Sequence, residues 1–97
     1  MLIRIVRMTF QEDKVEAFLE NFEKIKNKIR GFDGCEHLEL WRDANDPHVF
    51  VTYSHWQSEE HLNAYRHSEL FKGVWAYTKP LFAAKTSAFS VHKVEKV

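Results

Sequence analysis

Hydrophobic and polar residues follow two different periods along this chain. Residues 2–10, LIRIVRMTF, alternate with a period of two, as β-strands do, and both sets of side chains are largely apolar. Residues 12–30 place apolar side chains at helical spacing, with acidic residues at their start and basic residues at their end, which suits the helix dipole. Gly31 predicts the end of this helix. The first two predicted elements are therefore a strand that is covered on both faces and an amphipathic helix.

A β-hairpin is predicted next. Residues 37–42 (HLELWR) and 49–56 (VFVTYSHW) both alternate as strands, and the turn-forming residues 43–47 lie between them. One face of the second strand carries small hydroxyl residues between two aromatic residues, and we expect that face to border a cavity. Its residues are Phe50, Thr52, Ser54 and Trp56.

Two helical segments and a last strand complete the pattern. Ser58 is a favourable N-cap that is followed by two glutamates, which predicts a helix over residues 58–68. Residues 69–77 continue as a second helical segment, and Pro80 ends it. The alternation in residues 86–94, TSAFSVHKV, predicts the last strand.

The order of these elements predicts a single α+β domain over residues 1–97. Strand, helix, strand, strand, helix and strand is the ferredoxin-like βαββαβ arrangement, with four antiparallel strands and the helices on one face of the sheet. The strands carry apolar residues on both faces, so the face without helices must contact something else. A second copy of the same sheet is the simplest partner, which predicts a homodimer.

Composition and charge narrow the classes of function. The 14 basic and 14 acidic residues give a formal net charge of zero, which argues against nucleic acid as a partner. No apolar run approaches the roughly 20 residues that cross a bilayer, so no membrane association is expected. Cys35 is the only cysteine, which favours a cytoplasmic protein. The six histidines form no pair at a recognised ligand spacing, and no metal or other cofactor is predicted.

Several short motifs carry a resemblance to a known family. They are Gly34-Cys35, Trp56-x-Ser58 and Leu62-x-Ala64-Tyr65-x-x-Ser68. In their order and spacing the chain resembles the antibiotic biosynthesis monooxygenase (ABM) domain family along nearly its whole length. The resemblance implies a dimeric α+β barrel, in which two ferredoxin-like sheets face each other. The family includes cofactor-independent oxygenases of quinols and polycyclic phenols, haem-degrading enzymes, isomerases and members without known activity, so the resemblance specifies the fold better than the chemistry.

Two branches of that family can be compared residue by residue. The haem-degrading branch has an asparagine in the first strand, a tryptophan in the second helix and a histidine ligand shortly afterwards. This chain has Val6 and Arg7, Tyr65 and Trp75 at or near those positions, so haem degradation is not expected. Many quinol oxygenases have a histidine where this chain has Tyr65. A phenol with an ordinary pKa of about 10 is a poor base at neutral pH, although it can donate a hydrogen bond.

We therefore expect a cofactor-independent monooxygenase that acts on a quinol-like or phenolic aromatic molecule. Such a reaction needs a proton acceptor, a cation or hydrogen-bond donor for the oxyanion, and an aromatic wall. The candidate catalytic residues are Tyr65, His61 and Arg7. The candidate substrate-binding residues are Trp56, Trp75, Phe71 and His55.

Other interpretations stay open at this level. The aromatic residues could form only core, and Arg7 could pair with Glu39 or lie at a dimer contact. The alternative functions are a non-catalytic small-molecule-binding or sensory homodimer, and an isomerase of a small polar metabolite. Arg4, Arg7 and His55 would matter most for a polar or anionic substrate.

Overall fold

Seven regular elements form the fold in a computed structural model that describes residues 1–97. They are β1 (Leu2–Thr9), α1 (Val15–Arg30), β2 (Cys35–Arg42), β3 (Val49–Trp56), α2 (Glu59–Arg66), α3 (Glu69–Thr78) and β4 (Ser87–Val91). Short 3-10 turns precede α1 and follow α3, at Glu12–Lys14 and Lys79–Leu81. The predicted order of elements is confirmed. None of the helices is long and apolar enough to cross a membrane.

The four strands form one antiparallel sheet in the order β2-β3-β1-β4. The predicted ferredoxin-like fold with a four-stranded antiparallel sheet is therefore confirmed. In the register of β1, Arg4 lies opposite Ser54 of β3 and opposite Ser90 of β4. Because successive residues of a strand point to opposite faces, these three side chains share one face, and it is the face that the helices cover. Arg7 and its neighbours at odd-numbered positions of β1 lie on the other face.

Two clusters of buried apolar side chains hold the helices against the sheet. The first centres on Trp56 and comprises Leu2, Ile29, Cys35, Trp56, Leu62 and Tyr65. The second centres on Phe10 and comprises Met8, Phe10, Val15, Phe18, Phe50 and Leu81. In the second cluster the rings of Phe10 and Phe18 are stacked with their centroids 4.2 Å apart. Residues of both clusters border the cavity described below.

The boundaries differ from the predicted ones where local backbone chemistry overrides the periodic pattern. Residues 12–14, predicted as the start of the first helix, form the separate 3-10 turn. Pro80 lies inside the second 3-10 turn, where its missing N–H is tolerated because the first turn of a helix leaves N–H groups unpaired. The last strand covers only Ser87–Val91 of the predicted residues 86–94.

A tight turn joins α1 to β2. Gly31 caps α1 with an ordinary right-handed φ of −84°, and its N–H donates to the carbonyl of Asn27 at 2.9 Å. Gly34 has a φ of +88°, a conformation that glycine adopts without strain because it has no Cβ. The N–H of Gln57 donates to the carbonyl of Gly34 at 2.9 Å, which fixes this turn beside the start of α2.

Candidate ligand-binding cavity

A cavity of about 330 Å³ lies between the sheet and the helices. Fourteen of its 20 lining residues are hydrophobic. The sheet contributes side chains from the helix-covered face, including Val6, Thr52 and Ser54. The volume falls within the range of pockets that hold one small organic molecule. Of the β3 face predicted to border a cavity, Thr52, Ser54 and Trp56 do so, whereas Phe50 packs in the second core cluster instead.

A continuous series of aromatic rings forms one wall of this cavity. Trp56 and Tyr65 are stacked with centroids 5.0 Å apart, and Tyr65 meets Phe71 edge to face at 5.2 Å. Phe71 in turn stacks on Trp75 at 6.0 Å, with only 8° between the ring planes. The structure thus brings together four of the seven predicted site residues. We call these four the aromatic wall.

Two serine N-caps set where the helices that carry Tyr65, Phe71 and Trp75 begin. The backbone N–H of His61 donates to Ser58 Oγ at 3.2 Å, which begins α2 and positions Tyr65 in its last turn. The backbone N–H of Phe71 donates to Ser68 Oγ at 3.1 Å, which begins α3. Each cap satisfies an N–H that the helix itself leaves unpaired. The break between the two caps allows both helices to direct aromatic residues toward one cavity.

Trp56 is anchored by a polar contact as well as by packing. It is 1% exposed, and its indole Nε1–H donates to Ser54 Oγ at 3.0 Å. Ser54 Oγ lies 3.5 Å from the carbonyl oxygen of Arg4 on the adjacent strand, to which it donates. The small hydroxyl between the aromatic residues of β3 is therefore what satisfies the buried indole N–H.

The surroundings of Tyr65 favour its neutral, protonated phenol. Burial raises the pKa of its phenol above the ordinary value, and the nearby Cys35 thiol adds to the effect. Burial likewise raises the pKa of Cys35. The Tyr65 side chain therefore keeps its proton at neutral pH and can donate it in a hydrogen bond to a bound molecule.

The raised pKa of Tyr65 predicts a loss of stability in alkali. Because the phenol ionises less readily in the folded chain than in the unfolded chain, its contribution is fully present below a pH of about 10 and decreases as the pH rises toward the folded pKa. Denaturant unfolding between pH 8 and pH 11 should show a steeper loss for the wild type than for Tyr65→Phe. The exposed Tyr77 supplies a control, since Tyr77→Phe should follow the wild-type profile. Parallel profiles for wild type and Tyr65→Phe would contradict this prediction.

His61 lies beside the cavity but does not line it. Its Nδ1 is 2.7 Å from Ser58 Oγ, and its Nε2 is 3.9 Å from a carboxylate oxygen of the exposed Asp33. The imidazole is packed against Gly34, so closely that a Cβ built there would lie 2.4 Å from it. These contacts assign His61 a role in joining α2 to the turn before β2. Its predicted catalytic role rests on the sequence alone.

Arg7 and His55 lie on the opposite face of the sheet. Arg7 is exposed and pairs in register with Val51 and Ser87, and neither it nor His55 lines the cavity of this chain. Their predicted roles at the site thus have no support from the geometry of one chain. The physical reason is the period of the strand, since positions 4 and 7 of β1 necessarily point to opposite faces.

His55 belongs to a polar and aromatic cluster on that opposite face. Its Nε2 lies 2.7 Å from the Tyr53 hydroxyl, and its ring is 4.9 Å from that of His37. Partial burial lowers the pKa of His55, and His37 and Lys93 lower it further. Glu39 in the same cluster contacts His37, so the predicted alternative pairing of Glu39 with Arg7 does not form.

The charged side chains that line the cavity are Arg4 and Arg66. The Arg66 position was missed by the sequence prediction, because the helical pattern indicates only a polar residue in the last turn of α2. Arg4 was predicted to matter for a polar substrate, and the register of β1 places it on the cavity face. No three His, Cys, Asp or Glu side chains lie close enough together to hold a metal ion.

The chain is similar to one protein family in sequence and to several solved structures in fold. The family model described as antibiotic biosynthesis monooxygenase matches residues 1–76. No curated protein sequence matches the chain.

Among solved structures, a protein from Nitrosomonas europaea named for the same family has 19% identity and a TM-score of 0.89, with 98% of this chain and 100% of that chain covered. Rv0793 from Mycobacterium tuberculosis has 18% identity and a TM-score of 0.88, covering 98% and 96%. A conserved protein from Methanosarcina mazei Go1 has 18% identity and a TM-score of 0.88, covering 96% and 93%. At these identities, the structural likeness establishes the fold.

Proposed function

Because this chain belongs to the antibiotic biosynthesis monooxygenase family, we propose that it is a cofactor-independent monooxygenase of a phenolic or quinol-like aromatic molecule. The observation that carries the proposal is the aromatic wall of a largely apolar cavity. Its rings offer flat, polarisable surfaces against which an aromatic substrate stacks. An apolar cavity of this kind also excludes water from an anionic intermediate.

In this proposal the substrate supplies the electrons that reduce dioxygen. For an anthrone, the methylene carbon loses two hydrogens and gains one oxygen atom as a carbonyl, and the other oxygen atom leaves with those hydrogens as water. The protein holds the ring, and the Tyr65 hydroxyl donates a hydrogen bond to the substrate oxygen as negative charge develops on it. The raised pKa of Tyr65 favours this donor role, because the phenol stays protonated.

The cavity contains no His, Asp, Glu, Lys or Cys side chain. A proton lost from the substrate must therefore pass to solvent, which favours phenols that ionise readily. The same absence supports the second candidate function, a protein of this fold that binds an aromatic ligand without turnover. The two functions share a cavity and differ only in whether oxygen is consumed.

Oxygen uptake distinguishes these two functions. The protein is incubated with a panel of hydroquinones and anthrones, with a chelator present and without added flavin, and a heat-inactivated sample measures spontaneous oxidation. We expect uptake above that control, and a kcat for Tyr65→Phe that is lower by about a hundredfold to a thousandfold, since one donor to the oxyanion is lost. Tyr77→Phe, which removes an exposed hydroxyl, should retain the wild-type rate.

Two other outcomes would change the assignment. Uptake equal to the heat-inactivated control across the panel, with ligand binding retained, would leave the binding function. A rate that falls in His61→Ala and not in Tyr65→Phe would transfer the catalytic role to the imidazole.

The proposal includes a homodimer formed through the sheet face that has no helices. Large apolar side chains are exposed there, with Trp41 43% exposed, Phe89 47% and Val91 39%. Ile5 and Tyr53 lie between them on the central strands and are only partly buried. Covering these groups with a second sheet would remove apolar area from water, the usual driving force of association.

A charge on this face should separate the protomers. Phe89→Glu places a carboxylate on an exposed position of β4, where the fold itself tolerates it but an apolar interface does not. Sedimentation velocity should show a dimer for the wild type and mainly monomer for this variant. Tyr77→Glu, at an equally exposed position on α3, should remain dimeric. A wild-type monomer at micromolar concentrations would contradict the dimer.

A further inference from the structure

Two arginines line the cavity without a carboxylate partner. Arg4 projects from β1, and its Nη1 donates to Ser90 Oγ at 3.1 Å. Arg66 lies in the last turn of α2, on the side of the cavity opposite the sheet. Neither guanidinium forms a salt bridge, although the chain carries 14 acidic residues. The cavity is thus positively charged although the net charge of the protein is zero.

This arrangement is unfavourable as long as the cavity holds no anion. Both positive charges line the same cavity. Burial lowers the pKa of Arg4, and the positive charge of Arg66 lowers it further, which is the direction expected of two groups that repel each other. A negative group between the two would remove the repulsion and accept hydrogen bonds from both guanidinium forks.

We propose that the ligand of this cavity is an anionic aromatic molecule, with its ring against the aromatic wall and its carboxylate or phenolate oxygen held by Arg4 and Arg66. The inference rests on the proposed function only in taking this cavity as the ligand site. It adds the class of substrate, since a neutral aromatic molecule would leave both guanidinium groups without an anionic partner. Arg4 and Arg66 would then determine specificity, while the aromatic wall contributes affinity that is independent of charge.

Calorimetric titration with two matched probes tests the carboxylate form of the proposal. The probes are 2-naphthoate and its neutral amide, 2-naphthamide, which have the same ring and nearly the same shape. We expect the wild type to bind 2-naphthoate at least tenfold more tightly than 2-naphthamide, since hydrogen bonds between charged groups are the stronger class. Equal affinity for the two probes would overturn the carboxylate form.

Three variants that each remove one positive charge test which arginines cause the preference for 2-naphthoate. Arg66→Gln is the cleaner test because Arg66 is exposed and contributes little to packing, and Arg4→Gln examines the partly buried partner. Each should weaken 2-naphthoate binding by about tenfold and change 2-naphthamide binding by less than about twofold. Arg42→Gln removes the same charge outside the cavity, where Arg42 lies over the Phe50 ring at 4.6 Å, and should change neither affinity. Equal losses for both probes, or a loss in Arg42→Gln alone, would contradict the proposal.

The phenolate form is tested with 4-nitrophenol, whose visible absorbance reports its ionised fraction directly. Binding between two guanidinium groups should increase that fraction at neutral pH, and the increase should disappear in the Arg4→Gln, Arg66→Gln double variant. A signal with 2-naphthoate alone would assign the site to carboxylates, and a signal with 4-nitrophenol alone would assign it to phenolates. Either result supports an anionic ligand, and no preference in both tests overturns it.

These measurements involve no turnover, so they separate the two proposals. If 2-naphthoate is preferred but no substrate drives oxygen uptake, the anion site stands and the oxygenase function fails. If oxygen is consumed but the two naphthalene probes bind equally and the ionised fraction of 4-nitrophenol does not increase, the oxygenase function stands and the anion site fails. If neither naphthalene probe binds and 4-nitrophenol gives no signal, the anion site is overturned.

Discussion

Replacing Trp56 by alanine is expected to lower the free energy of unfolding by about 3–5 kcal/mol. The indole is 1% exposed and packs on Tyr65 and Phe32, with ring centroids 5.0 and 6.4 Å away. Its removal leaves a void beside the cavity and deprives the buried Ser54 hydroxyl of a hydrogen-bond donor. Since domains of this size are stable by only about 5–15 kcal/mol, the variant should lose a large fraction of its stability.

Urea unfolding followed by far-ultraviolet circular dichroism measures this loss. Trp56→Phe should lower the free energy of unfolding by less than Trp56→Ala does, because an aromatic ring remains while the indole N–H and part of the side-chain volume are lost. Trp75→Ala supplies the matched control, since Trp75 also belongs to the aromatic wall but is only half-buried. If Trp75→Ala costs as much as Trp56→Ala, Trp56 is not the centre of its core cluster.

The second large effect is expected at Gly34. Gly34→Ala should destabilise the fold by about 2–5 kcal/mol, which combines the strain of a left-handed backbone with overpacking. The added Cβ would lie 2.4 Å from the Cβ, Cγ and Cδ2 atoms of His61, and the φ of +88° already disfavours any side chain. Chemical denaturation measures the change. Gly31→Ala, at a φ of −84° with a nearest contact of 3.1 Å, should cost much less.

A double-mutant cycle connects this effect to His61. Removing the imidazole in His61→Ala relieves two of the three close contacts, so Gly34→Ala should be less damaging in that background. The expected coupling is about 0.5–3 kcal/mol. Strict additivity would mean that backbone strain alone accounts for the loss and that His61 moves aside freely.

The sequence predicted the fold and much of the cavity because both depend on short periods. Alternation along β3 put Thr52, Ser54 and Trp56 on one face, and that face borders the cavity. Helical spacing likewise directed Phe71 and Trp75 inward. In both cases a local repeat determines the direction of the side chain, so no knowledge of distant contacts is needed.

The polar half of the site could not be predicted in this way. Arg4 and Arg7 lie three residues apart on one strand and therefore on opposite faces, and both faces are apolar enough to be covered. Only the packed helices decide that Arg4 belongs to the cavity. The packing of His61 could not be predicted for a different reason, because its contact with Gly34 joins segments that are distant in sequence and leaves no periodic signal.

Because the side chains of β1 alternate between the two faces of the sheet, the residues on one face can be substituted without changing those on the other. Val6 and Met8 line the cavity, whereas Ile3 and Ile5 point away from it. A library that varies only the even-numbered positions of this strand would change the lining of the proposed ligand site, while the odd-numbered positions, on the face of the proposed dimer contact, stay as they are. Insertion of a single residue before position 4 would instead exchange the two sets in one step, so protein engineers should vary side chains here and keep the strand length constant.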